Sequence, residues 1–203
     1  MANRATRTLT VFAAFAASLA IGLSAVLWLT GGGPLGGNLL GKSQPAKIGG
    51  PFQLIDQTGK SVTEKDLIGR PTLIFFGYTH CPDVCPTSLF EMSEVLRAMG
   101  KDADRVNALF VTVDPERDTQ AAMKEYLSSF DPHLKGLTGD AAAVAKIVSA
   151  YRVFAKKIPL KDGEYSMDHT ALIYLMDRDG NFVAPFNLNR SPDAAAADLR
   201  AYL

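Results

Sequence analysis

Cysteine is scarce in this chain, with two in 203 residues. Two cysteines cannot make a disulfide framework, and a chain of this length buries a core without one. The pair is therefore expected to carry chemistry. Histidine occurs three times and tryptophan once, so a metal site has few imidazoles to draw on. Net charge is lacking too, at a formal +0. Setting Arg4 and Arg7 aside from the 21 basic residues leaves 19 against 21 acidic, a net of −2. A phosphate-neutralising surface needs a basic excess gathered into a patch, and no nucleic-acid partner is expected.

Charge is missing altogether from Thr8 to Gly41. Within that stretch Leu9 to Leu29 is almost wholly apolar and, as a helix, spans roughly 31 Å, the thickness of a bilayer core. A cleaved secretory signal has a shorter apolar region of roughly 7–15 residues followed by a small-residue cleavage site. Small-x-small patterns such as Ala14-Phe15-Ala16 fall inside the run instead. An uncleaved anchor is expected, and no cysteine stands near its end to carry a lipid. Arg4 and Arg7 precede it, so the positive-inside tendency keeps the N-terminus in the cytoplasm and sends the rest across. Gly31-Gly32-Gly33-Pro34-Leu35-Gly36-Gly37 follows as flexible tether. The expected division is a cytoplasmic N-terminus at 1–8, a transmembrane anchor at 9–30, a Gly-rich linker at 31–49 and a folded domain at 50–203.

Along that domain, apolar pieces on either side of Asp56-Gln57-Thr58-Gly59-Lys60 predict a hairpin. Thr72 to Phe76 and Val106 to Val113 are continuous β-prone runs of the buried kind. Between them Leu89, Met92, Val95, Leu96 and Met99 have helical spacing, closed by Gly100. Thr119 to Phe130 predicts a helix capped by Asp118, and Ala141 to Ala150 another. Tyr151 to Ile158 is expected to be extended. Ala171 to Met176 and Asn181 to Phe186 form a second hairpin, and Asp193 to Tyr202 a last helix. The order hairpin, β, α, β, α, α, β, β, α starts parallel and finishes antiparallel. That is the α/β arrangement of a thioredoxin-like fold with an N-terminal hairpin, here preceded by one transmembrane helix.

Both cysteines fall in Phe76-Gly77-Tyr78-Thr79-His80-Cys81-Pro82-Asp83-Val84-Cys85-Pro86, which leaves a buried strand and enters a helix. In open α/β sheets this edge is where ligands bind. Cys85 belongs to the first helical turn, where free N–H groups and the dipole favour a thiolate, so a lowered pKa is expected. Cys81 can fold back toward it to close a disulfide or to share a soft metal ion. Thioredoxin-type redox motifs have two intervening residues where this chain has three. Val84-Cys85-Pro86-Thr87 looks like a peroxiredoxin site, but position 82 is Pro where that family has Thr.

A soft ion such as Cu(I) on two thiolates is well served by one added imidazole. His169, in Met167-Asp168-His169-Thr170, precedes a strand whose leading loop abuts the cysteine loop in a thioredoxin-like fold, and Asp168 is placed to orient its ring. His80 neighbours Cys81, but adjacent side chains on extended chain diverge, and His133 reads as a solvated loop residue. Zinc would want a fourth protein ligand. Asp83 could approach a harder ion such as Cu(II), yet it reads first as a turn residue, and Asp114 as a turn and capping residue.

The cysteine segment, the run Val113-Asp114-Pro115-Glu116-Arg117-Asp118 and the later Asp168-His169-Thr170 together resemble the Sco/SenC family over roughly Gly50 to Leu203. The resemblance implies a membrane-anchored, thioredoxin-like copper protein that assists assembly of the binuclear copper centre in cytochrome c oxidase subunit II. Cys81, Cys85 and His169 would then be the ligands for Cu(I) or Cu(II), supplied by a copper donor protein. Exchange at an exposed site, rather than enzymatic turnover, is the mechanism it implies. The alternatives are a thiol-disulfide oxidoreductase using Cys81 and Cys85 without metal, and a copper or redox sensor. Arg4 and Arg7 directly before the anchor favour a bacterial inner membrane, with the domain in the periplasm.

Overall fold

The computed structural model describes residues 17–26 and 47–203, which belong to two compact units, Met1–Ala46 and Lys47–Leu203. Residues 17–26 are helical with every side chain exposed. The N-terminus expected at 1–8 lies outside the described residues, as do most of the anchor at 9–30 and of the linker at 31–49. Among the described residues no helix is long and apolar enough to cross a membrane.

In the second unit nine strands and four helices follow one another. They are β1 Gln53–Asp56, β2 Ser61–Thr63, β3 Thr72–Gly77, α1 Val84–Met99, β4 Asn107–Thr112, α2 Gln120–Leu127, β5 Leu134–Thr138, α3 Ala141–Ala150, β6 Ala155–Pro159, β7 Tyr165–His169, β8 Ile173–Met176, β9 Phe182–Pro185 and α4 Pro192–Arg200. Seven strands form one sheet in the order β2-β1-β5-β4-β3-β8-β9, and β6 pairs with β7 apart from it. β3, β4 and β5 run parallel, whereas β8 lies antiparallel to β3 and β9 antiparallel to β8. The parallel start, the antiparallel finish and both hairpins agree with the sequence pattern.

Physical causes are visible at each piece. Asp56 closes the first hairpin by accepting the Thr58 N–H at 2.8 Å and the Lys60 N–H at 3.0 Å, and Gly59 takes the positive φ that the turn requires. β3 and β4 are buried at all six positions each, as parallel strands covered on both faces must be. Phe75, Phe76 and Phe110 are fully buried, each worth on the order of 1.5–3 kcal/mol relative to exposure. α3 starts where expected, with Asp140 accepting the Ala143 N–H at 2.7 Å.

Three expectations need correction. β5 was not foreseen, because Lys135 and Gly136 interrupt its apolar pattern. It exists because it pairs with β4, and because Gly136 leaves room for Leu127 and Met123, which a Cβ there would meet at 2.6 and 2.8 Å. The helix expected over 119–130 covers Gln120–Leu127, and its cap is Thr119, whose hydroxyl accepts the Ala122 N–H at 3.2 Å. His169 ends a strand, β7, rather than lying on a loop.

Residues 47–50 meet the unit at a defined end. The Gly49 N–H donates to the Ala150 carbonyl at 2.9 Å, and Gly49 lies beside Met176, the strand partner of Thr72. This is the end of β3 opposite Gly77.

Candidate metal centre

The cysteine loop begins where β3 stops. Gly77 is the last strand residue, and a Cβ at that position would stand 2.8 Å from Cys85 Sγ and 2.7 Å from Phe110 Cε2. Only glycine leaves the sulfur its place. Beyond it Thr79 donates its N–H to Asp118 Oδ2 at 3.1 Å and its hydroxyl to Oδ1 at 2.6 Å. The Thr112 hydroxyl donates to Oδ2 at 2.6 Å. Asp118 is fully buried; burial pushes its carboxyl up, while the Thr112 and Thr79 donors work against that. It was expected to cap a helix, but it ties the cysteine loop to the end of β4.

Cys85 is the second residue of α1. Its N–H donates to Cys81 Sγ at 3.4 Å, so Cys81 does fold back. Both cysteines are free, Cys85 buried and Cys81 half-buried. His169 Nε2 lies 3.7 Å from Cys85 Sγ, while its Nδ1 stands 3.1 Å from the Thr170 carbonyl oxygen. A carbonyl only accepts, so Nδ1 is the donor there, and Nε2 is the ring nitrogen that faces the sulfur. The ring is also held edge-on by Tyr78 at 5.8 Å and by Phe75 at 6.4 Å between centroids. Asp168 does not orient it. That side chain is exposed, since neighbours on β7 point to opposite faces.

The expected lowering of the Cys85 pKa is overturned. Burial pushes the thiol well above its ordinary 9.0, and the opposing pull of the Tyr78 backbone is smaller. The helix terminus is there, but the sulfur, buried beside Gly77, has lost the water that would stabilise a thiolate. The expected exposed site is likewise half right. Cys81 and His169 reach the surface in part, whereas Cys85 does not.

The donor set suits a soft metal ion. Metal–sulfur and metal–imidazole bonds of about 2.3 and 2.0 Å, meeting near 120°, place sulfur and nitrogen about 3.7 Å apart, which is the Cys85–His169 separation. Among the described residues no three Cys, His, Asp or Glu side chains are grouped to hold a metal ion; Cys85 and His169 are in contact as a pair.

Other candidates stand apart. The side chain of His80 is 54% exposed and its Nδ1 lies 3.1 Å from the Thr79 hydroxyl. Asp83 is exposed at the N-cap of α1 without a side-chain capping bond. His133 bonds to Asp131 and Asp104. Asp114 is buried and accepts from the Tyr165 hydroxyl at 2.9 Å and from Arg117. Arg117, Asp118, Tyr78 and Tyr165 escape sequence reasoning, although the acidic run containing the first two was conspicuous.

Fold and site together define a thioredoxin-like protein with a free dithiol and an imidazole at one sheet edge. A family model described as SCO1/SenC matches residues 41–203, and the chain belongs to that family. An SCO2-like protein of Rickettsia conorii is 38% identical over 189 residues, 90% of this chain and 92% of its own length. The human "Protein SCO1 homolog, mitochondrial" is 40% identical over 159 residues, 77% of this chain and 53% of its own. Among solved structures, Bradyrhizobium japonicum ScoI with copper bound is 76% identical with a TM-score of 0.76, covering 77% of this chain and 99% of its own. Yeast Sco1 with copper bound is 36% identical, TM-score 0.69, covering 77% and 88%.

Proposed function

We propose that this chain is a membrane-tethered copper chaperone that holds copper on Cys81 Sγ, Cys85 Sγ and His169 Nε2. By this reading it accepts copper from a donor protein and assists assembly of the binuclear copper centre of cytochrome c oxidase subunit II. It would work at a bacterial inner membrane, anchored by one pass through residues 9–30, with its folded domain in the periplasm. The observation that carries the reading is the 3.7 Å approach of His169 Nε2 to Cys85 Sγ with Nδ1 tied elsewhere. Copper-bound structures of the bradyrhizobial and yeast relatives support it.

The role is carriage rather than catalytic turnover. Loading replaces the thiol protons, and the raised pKa of Cys85 makes the incoming metal, not pH, the agent of its deprotonation. Release starts at the accessible side. An acceptor thiolate reaches the metal past Cys81 and His169, and Cys85 lets go last. A tether raises the local concentration of carrier at a membrane-bound acceptor without tighter binding.

The free dithiol at a helix start also supports a second reading, thiol-disulfide oxidoreductase. Cys81 and Cys85 would close a disulfide, giving two electrons and two protons to a partner's disulfide. Anaerobic titration of the reduced full-length chain with Cu(I) separates the two. One copper per chain, with affinity lost in His169→Ala while disulfide reduction persists, is the expected result. A reduced protein that takes up no copper would end the chaperone reading.

A further inference from the structure

The strand that carries His169 has little hydrophobic hold on the domain. Among the described residues β6 and β7 pair only with each other, and neither contains a fully buried residue. A two-stranded ribbon is marginal by itself. Ala155 and Met167 pack against the core only in part, so the ribbon's placement leans on particular contacts as well, and several of these gather at Tyr165, the first residue of β7.

Arg117 is the centre of that gathering. Its guanidinium carbon lies 3.7 Å from the centroid of the Tyr165 ring, within the range of a strong cation–π contact. Its Nη1 donates to the Tyr165 carbonyl at 3.0 Å, and its Nε donates to Asp114. Asp114 in turn accepts the Tyr165 hydroxyl at 2.9 Å. Lys157 of β6 stands 4.0 Å from the same ring centroid and donates to Glu116 at 2.7 Å. Segment 114–117 thus grips both strands of the ribbon, while Asp118, the next residue, grips Thr79 in the cysteine loop. One short segment holds both halves of the site.

We propose that Arg117 is a positioning residue for the metal centre, which acts through Tyr165 and β7 to hold His169 against Cys85. Tyr165 and His169 are four residues apart, roughly 13 Å along the strand, so a shift at the clamped end is transmitted to the imidazole. Arg117 touches neither the sulfurs nor the imidazole. The hydrogen bond between Tyr78 and Ser166, 3.0 Å, is a second hold, so loss of Arg117 loosens the ribbon without freeing it. The assignment rests on the copper reading above.

The test is a double-mutant cycle on the full-length chain, read by competition for Cu(I) against a chromophoric chelator. Arg117→Met should weaken Cu(I) binding on the order of tenfold, the low end of what outer-shell partners contribute. In a His169→Ala background it should cost nothing further, because its effect passes through that residue. Metal-free protein supplies a second readout. Arg117→Met should speed amide exchange at Ser166 to His169 and leave β3 and β4 unchanged. Tyr165→Leu, which removes the ring from a half-exposed position, should reproduce both effects if Arg117→Met does not fold. Equal losses in the two backgrounds, no loss in the parent, or unchanged exchange in β7 would each overturn the assignment. Copper uptake by the parent protein is measured first, and its absence would remove the function and the positioning role together.

Discussion

Gly77 and Cys85 compete for one volume: the position of a Cβ at residue 77 is 2.8 Å from the Cys85 sulfur. Gly77→Ala therefore forces the sulfur, the Phe110 ring or β3 itself to move. Overpacking of this kind costs about 1–3 kcal/mol, and a lower urea midpoint at unchanged slope should report it. Adding Cys85→Ala should recover part of the loss, since one of the two clashing atoms is then gone. A Gly77→Ala protein as stable as the parent would show that the sulfur is not confined there.

The two thiols should differ in reactivity, and in the order opposite to the one a helix terminus suggests. Cys81 is half-buried, and Cys85 is buried with its pKa pushed up. In the reduced native protein iodoacetamide should label Cys81 first, and peptide mass mapping should find Cys85 unlabelled until the chain unfolds. Raising the pH to 9.0, the ordinary thiol value, should not close the gap. Labelling at Cys85 first would contradict the burial of its sulfur.

Far from the sulfurs, His133 should give the domain a measurable pH dependence. The Asp131 carboxylate, 2.6 Å from Nδ1, holds this imidazole above its usual 6.5. A group that binds its proton more tightly when folded stabilises fully below its unfolded pKa and loses that contribution as pH rises through the folded one. Stability from His133 is thus complete below pH 6.5 and fades above it. Denaturant midpoints measured from below pH 6.5 to well above it should fall, and His133→Asn should flatten that part of the curve. A slope that survives the substitution would have to come from other groups.

What local pattern could tell was limited by how far the deciding contacts reach. That β3 hands over to α1 through the cysteine loop, and that His169 lies near Cys85, was legible. The state of Cys85 was not. Its helix position is a local fact, but the burial that outweighs it comes from the core it enters, at the Gly77 end of β3. Asp118 and Thr119 are both good capping residues, and adjacent sequence does not say which one caps. The choice is made by Thr79, 39 residues earlier, which claims the Asp118 carboxylate. The alternation in β7 is short, Tyr165 and Met167 between Ser166 and Asp168, and none of its residues is fully buried, so its contacts with Arg117 and Asp114 were beyond the reach of the pattern. β5 needed β4 as its partner before its sequence made sense as a strand.

The contact of Gly49 with Met176 has a geometric consequence inside the domain. Gly49 sits near the start of β3, and the sulfurs lie past its other end. β3 is six residues long, so the span between them is at least roughly 17 Å. Within the folded domain the reactive pole is thus the one remote from Lys47.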